Sequence, residues 1–204
     1  MDSETEKILE SLGRPGGWQM STREYRTIAE CVAGRSPAAF LVFGVGDDSA
    51  LWIDVNADGD TVFIEDSPKW IDIVRGRMAE RCADIRPCSY VSRAAQWTWW
   101  CLGRGGILDR RMPSGLASRS WDVILVDAPR GFRIWHPGRL QAIHWAFTLA
   151  RTSANSRGVD LFVHDFNRFT ERTIATALAG GEAPSRVVDR LAHYRIRPLP
   201  RRHG

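Results

Sequence analysis

The chain has 204 residues, 44% hydrophobic and 25% charged, enough for one domain that buries a core without staples. No stretch approaches the ~18 uninterrupted apolar residues of a membrane span, and the polar opening Met1-Asp2-Ser3-Glu4-Thr5-Glu6-Lys7 does not read as a signal peptide. These features speak against a membrane protein, a secreted mini-domain and a disordered chain, and a soluble cytoplasmic globular domain is the expectation.

The net charge is +4, with Lys7 and Lys69 as the lysines and arginine supplying the rest of the positive charge. Arg75, Arg77, Arg81 and Arg86 interleave with Asp72, Glu80 and Asp84. That is the pattern of a solvated helix face, without the concentrated basic patch of a nucleic-acid binder. One or two arginines suffice to grip a small anion. The expected partner is therefore a small molecule, with no nucleic acid and no membrane, and a homodimer is left open. Cys31, Cys82, Cys88 and Cys101 form no C-x-x-C pair and have no matching histidine spacing, so neither a zinc site nor a disulfide framework is indicated.

In chain order, residues 1–20 read as a helical stub and a hinge at Gly13, Pro15, Gly16 and Gly17. Tyr25, Ile28, Ala29 and Val32 recur at helical spacing from Ser21 or Thr22, either of which can cap. Residues 1–36 are thus expected to form an N-terminal helical segment or lid, and residues 37–204 the main domain. Ala39–Phe43 is an unbroken apolar run, the mark of a strand buried on both faces. A short helix over 50–56, a strand over 61–65 and a helix from Pro68 follow, with Ser89-Tyr90-Val91 as a weaker third strand. An irregular tryptophan-rich insertion occupies 93–120. The pattern resumes with a strand over 122–127, a helix over about 138–151, a strand over 160–165 and a helix to about Leu178. One or two terminal strands lie between Arg186 and Ile196. Repeated βα units predict an α/β fold, a doubly wound, mostly parallel sheet with helices on both faces.

In such sheets the chemistry lies beyond the carboxyl ends of the strands. Here the strands end in Gly44-Val45-Gly46-Asp47-Asp48-Ser49, Glu65-Asp66, Asp127 and His164-Asp165. Glu65 follows the G-x-G at nearly the ~20-residue spacing at which a carboxylate meets a ribose. Ser49 replaces the third glycine of a dinucleotide fingerprint, and Asp47 and Asp48 would repel a pyrophosphate. The loop therefore suits a cationic nucleoside, and S-adenosylmethionine has that character.

Six segments then carry a resemblance: Phe40–Ser49, Thr61–Asp66, Asp127–Gly131, Pro137-Gly138-Arg139, Phe162–Arg168 and Arg190–Tyr194. In this order they resemble the motifs of the plant glucuronoxylan 4-O-methyltransferase and irregular xylem (xylan-biosynthesis) domain family. The resemblance runs from about Gln19 to Pro198 and implies a class I, Rossmann-like fold using S-adenosylmethionine. That family usually has histidine where Asp47 stands, and its pattern does not extend to the tryptophan-rich insertion. A stand-alone enzyme of bacterial type acting on a small metabolite is the expectation.

Each candidate residue then has a role. Gly44 and Gly46 admit the cofactor's methionine part, Asp48 and Ser49 bind its amino group, and Glu65 accepts its ribose hydroxyls. Asp66 either joins this set or caps the following helix. Ser92, beside Arg93, lies where this fold holds adenine. Asp127 faces the sulfonium or the acceptor, and Arg130, Arg133 and Arg139 are candidates for a substrate carboxylate. His164 is the candidate proton acceptor. Asp165 stands beside it as a catalytic candidate; with Asp127 it would ligate a divalent ion only given a third ligand, so no metal is assigned. Asn167 with Arg168 shapes the loop next to the substrate. Trp18, Gln19 and Tyr25 close over the site, and Trp97, Trp99 and Trp100 wall it. Methyl transfer to a hydroxyl is the leading expectation. Two rivals are cyclisation of S-adenosylmethionine to azetidine-2-carboxylate, and a binding module without turnover.

Overall fold

The computed structural model describes residues 12, 19–78, 81, 83–92, 108–129 and 137–197. Its elements are α1 (Thr22–Ala33), β1 (Ala39–Phe43), α2 (Ser49–Val55), β2 (Asp60–Glu65), α3 (Pro68–Arg77), β3 (Asp84–Pro87), β4 (Val123–Val126), α4 (Leu140–Thr152), β5 (Val159–Val163), α5 (Phe169–Leu178), β6 (Arg186–Val188) and β7 (Leu191–Ile196).

The seven strands lie in the order β3-β2-β1-β4-β5-β7-β6. β1 pairs in parallel with β2 on one side and β4 on the other, so the order of connection reverses at β1. β3 and β5 extend the parallel part, and among the described strands β7 alone runs the opposite way, pairing antiparallel with both β5 and β6. In open sheets of this kind such a reversal is where a ligand crevice forms, here above the carboxyl ends of β1 and β4.

The apolar runs do what their composition requires. Along β1, Leu41 and Phe43 face a layer holding Ile143, Trp145 and Phe147 of α4, while Phe40 and Val42 face Ile28 and Val32 of α1, Trp52 of α2 and Val74 of α3. Alternating side chains thus both enter cores, and no polar residue interrupts the strand. α1 starts in a capping box: the Ser21 hydroxyl accepts from the Glu24 N–H, and the Glu24 carboxylate accepts from the Ser21 N–H.

One strand falls elsewhere than expected. The third strand is Asp84–Pro87, not Ser89-Tyr90-Val91. It is a four-residue edge strand whose Asp84 and Arg86 pair with each other, so its only apolar signal is Ile85 and the pattern hides it. Tyr90 lies beyond it and packs on Trp145 at 5.3 Å. Of the 93–120 insertion, residues 93–107, with Arg93, Trp97, Trp99 and Trp100, lie outside the described residues. Its later part is core: Leu108 and Leu116 are buried, and the segment leads into buried Trp121, whose indole N–H donates to the Leu116 carbonyl at 3.0 Å. No helix among the described residues is long and apolar enough to cross a membrane.

Candidate active site

The polar strand ends converge on the crevice. Gly44 follows β1 with φ +117°, and a Cβ there would stand 2.8 Å from the Ala128 Cβ, so only glycine lets the loops after β1 and β4 approach. The next turn is closed by Ser49, whose hydroxyl accepts from the Gly46 N–H at 2.9 Å. Asp48 occupies the N-cap position of α2 without capping it; its carboxylate instead accepts from the Trp52 indole at 3.1 Å. Burial, with Asp127 adding repulsion, pushes Asp48 up to about 7.

Glu65 binds this loop to the end of β2. One carboxylate oxygen accepts from the Val45 N–H at 3.0 Å, the other from Asp66 and Ser67 N–H at 3.1 and 2.8 Å. Burial pushes it up to about 7 against the pull of those donors. Asp66 does not cap α3; Ser67 does, accepting from the Trp70 N–H. Ser92 is buried and donates to the Pro137 carbonyl at 3.2 Å. Gln141, which the sequence reading passed over, accepts from Val91 and Ser92 N–H and donates to the Leu108 and Arg110 carbonyls, so one buried amide ties three segments.

The ends of β4 and β5 form a charged chain. His164 Nδ1 lies 2.7 Å from Asp127 Oδ1. Arg139, only 7% exposed, bridges Asp127 at 3.1 Å and Asp165 at 3.0 Å, and donates to the His164 carbonyl at 2.9 Å. Its guanidinium is thus engaged by the site's own carboxylates, and it fills the space between the two groups that a divalent ion would have to share. Asp165 adopts φ +58°, a left-handed backbone that a non-glycine residue holds only under constraint. Arg139, Arg168 at 3.1 Å and Arg190 at 3.6 Å hold it there.

Burial alone would strip the proton from His164, but Asp127 and then Glu24 outweigh it and push the imidazole up to about 9. Burial would raise Asp127; His164 and Arg139 outweigh it and hold the carboxyl below its ordinary range. That shift favours the protonated imidazole at neutral pH and works against His164 as the proton acceptor. Glu24, fully buried on α1, is the functional neighbour that sequence reasoning missed. Its signal, Ser21-x-x-Glu24, was legible as a cap; its approach to His164, 140 residues away in the chain, was not. Tyr25 is also buried here, its phenol pushed above its ordinary value by burial and by Asp48 and Asp127.

Of the remaining candidates, Gln19 is exposed and its carbonyl accepts from Arg190 at 2.5 Å. Asn167 is exposed on the turn after Asp165. Trp18, Arg130 and Arg133 lie outside the described residues. At the far end of β5, Cys31, Asp160 and His193 bring ligand-type atoms within 4.8 Å of one another, but Arg35 pairs with Asp160 and neutralises it.

The strand order, the single antiparallel hairpin at one edge and the glycine loop facing an acid at the end of β2 define a Rossmann-like fold of the class I methyltransferase kind. The chain belongs to the IRX15/IRX15L/GXM family, whose model matches residues 23–96 and 107–194. Glucuronoxylan 4-O-methyltransferase 2 of Arabidopsis thaliana is 31% identical over 179 residues, covering 79% of this chain and 60% of that protein. Arabinogalactan O-methyltransferase 2 of the same plant is 30% identical over 195 residues, covering 87% and 67% respectively. The chain thus spans about 60 to 67% of the length of these relatives. Among solved structures, a methyltransferase-like protein from Silicibacter pomeroyi shares the fold at a TM-score of 0.53 and 19% identity, covering 89% of this chain and 88% of that one.

Proposed function

We propose that the chain is an S-adenosylmethionine-dependent methyltransferase acting on a hydroxyl of a small, carboxylate-bearing sugar or metabolite. The observation that carries this reading is the pairing of Glu65 with the glycine loop at the sheet's switch point. A carboxylate lies one hydrogen bond from a backbone that only glycine permits.

The residues present fit that cofactor. Gly44 lets the loops after β1 and β4 meet at the strand ends, and Asp48, half-buried and repelled by Asp127, is a carboxylate that a cation would relieve. Glu65 would receive the ribose hydroxyls, and Ser92 would stand on the adenine side. The bound cofactor supplies an activated methyl group on a sulfonium, so the protein's work is to align two reactants and exclude water. The acceptor hydroxyl must also lose a proton. His164, already charged, orients Asp127 and balances its charge. Asp127, with 30% of its side chain exposed, is the carboxylate placed to take that proton. The names of the relatives, which act on glucuronoxylan and arabinogalactan, support a carbohydrate hydroxyl as acceptor.

The test is incubation with S-adenosylmethionine, with and without a panel of uronic and neutral sugars, read by mass spectrometry. Adenosylhomocysteine together with a methylated sugar, formed only when acceptor is present, is the expected result. Methylthioadenosine formed without acceptor would overturn the reading in favour of cofactor cyclisation. Failure to bind the cofactor would overturn it outright.

A further inference from the structure

We infer that Glu24 is a positioning residue of this site, clamping His164 from the side opposite Asp127 and so tying the placement of α1 to the orientation of Asp127. The role in turnover rests on the proposed methyltransferase reading; the clamp itself does not.

Glu24 has no exposed surface, an environment in which a carboxylate is rarely kept without partners. Helix capping explains only part of its placement. One oxygen accepts from the Ser21 N–H at 2.6 Å, as a capping box requires. The other accepts from the Arg190 N–H at 2.7 Å, in the turn between β6 and β7, which no cap requires. The Ser21-facing oxygen also stands 3.7 Å from His164 Nε2, within ion-pair range though too long for a hydrogen bond. That Nε2 is buried and has no hydrogen-bond acceptor among the described residues, so Glu24 is the charge that answers it.

The result is a chain from α1 to α4: Glu24, His164, Asp127 and Arg139, with Asp165 closing the far side. The charged groups around the imidazole are Glu24 of α1, Asp127 after β4, Asp165 after β5, Arg139 at the start of α4 and Arg190 of the β6–β7 turn. Two carboxylates grip the ring from its two nitrogens, and Arg139 donates to the same Asp127 Oδ1 that His164 Nδ1 faces. His164 is thereby fixed in position and charge, and through its Nδ1 so is the Asp127 carboxylate. An α1 displaced from the sheet would release both at once.

The decisive measurement is histidine-labelled NMR on the full chain, with H164N used to assign the resonance. In the wild type both ring nitrogens of His164 should carry protons at pH 7.5; a neutral ring there would overturn the inference without any further variant. In E24Q, which keeps the shape and one acceptor, the ring should titrate about one pH unit lower. A folded E24Q with the wild-type titration would refute the clamp. If methyl transfer is found, E24Q should lower kcat about tenfold while leaving KM for S-adenosylmethionine within twofold, and E24D should restore part of the rate. Equal losses in kcat and cofactor affinity would refute the positioning role. S21A serves as the control, because it weakens the cap while leaving the Glu24 charge and the Ser21 N–H in place; it should leave the His164 titration unchanged, and a shift as large as that of E24Q would assign the effect to helix docking alone. Absence of turnover with every acceptor would sink the enzymatic reading and leave the NMR result to decide the clamp.

Discussion

Glu65 accepts three backbone N–H bonds although burial favours its neutral form. Such a carboxylate both shapes the glycine loop and stands where the adenosyl ribose is proposed to lie. Replacing it by alanine removes charge-assisted hydrogen bonds of about 1–3 kcal/mol. Glu65→Ala should therefore weaken S-adenosylmethionine binding about 5- to 150-fold by calorimetry, and unchanged affinity would remove it from the site. Gly44→Ala is a different lesion: the added methyl meets the Ala128 Cβ at 2.8 Å from a backbone that disfavours side chains. It should lower the melting temperature and cofactor affinity together, which thermal denaturation with and without ligand would separate from a pure binding defect. Both residues were legible in the sequence, because strand-end glycines and acids are local signals at a fixed spacing. Arg139 was legible only as a cation; that it turns inward to Asp127 and Asp165 depends on packing between segments far apart in the chain. Glu24 sits three residues after Ser21, a local signal the sequence reading did not take up, and its partner His164 was hidden for the same reason as those of Arg139.

At the scale of elements, long apolar runs such as Phe40–Phe43 and Val123–Val126 declared themselves because burial on both faces leaves no room for polar residues. The edge strand Asp84–Pro87 did not, since a strand paired on one side tolerates a salt bridge along its length. α1 is the element whose boundary carries the most consequence, and its cap is doubly used. The Ser21 hydroxyl accepts from the Glu24 N–H and donates to Asp189 at 2.7 Å in the β6–β7 turn. Ser21→Ala removes an N-cap of about 1 kcal/mol. In a chain of this size that lowers the melting temperature by about 2–4 °C, measurable by calorimetry; an unchanged transition would mean that α1 is held by its apolar face alone.

Across the whole molecule the charged groups divide into two sets with opposite demands on pH. His164 is raised from 6.5 to about 9, so its stabilisation is complete below pH 6.5 and is lost as pH rises through 9. Burial opposes the charged forms of Glu24 and Asp127, but His164 outweighs it and holds both below their ordinary values. Their stabilisation is present above those ordinary values and is lost as pH falls through the lowered ones. Asp48 and Glu65 run the other way: burial raises both to about 7 from 3.8 and 4.5, so ionising them between those limits costs the ligand-free fold stability. The ligand-free protein should therefore lose stability from about pH 4.5 to 7 through these two groups. A cationic nucleoside seated between Asp48 and Asp127 reverses that cost by favouring the ionised carboxylate, and binding must then expel a proton wherever Asp48 is still partly protonated. Calorimetry of S-adenosylmethionine at pH 6.5 in buffers of differing ionisation enthalpy should show net proton release, fading by pH 8.5 and reduced in Asp48→Asn. Binding that exchanges no proton at pH 6.5 would show that the cation does not sit at these carboxylates.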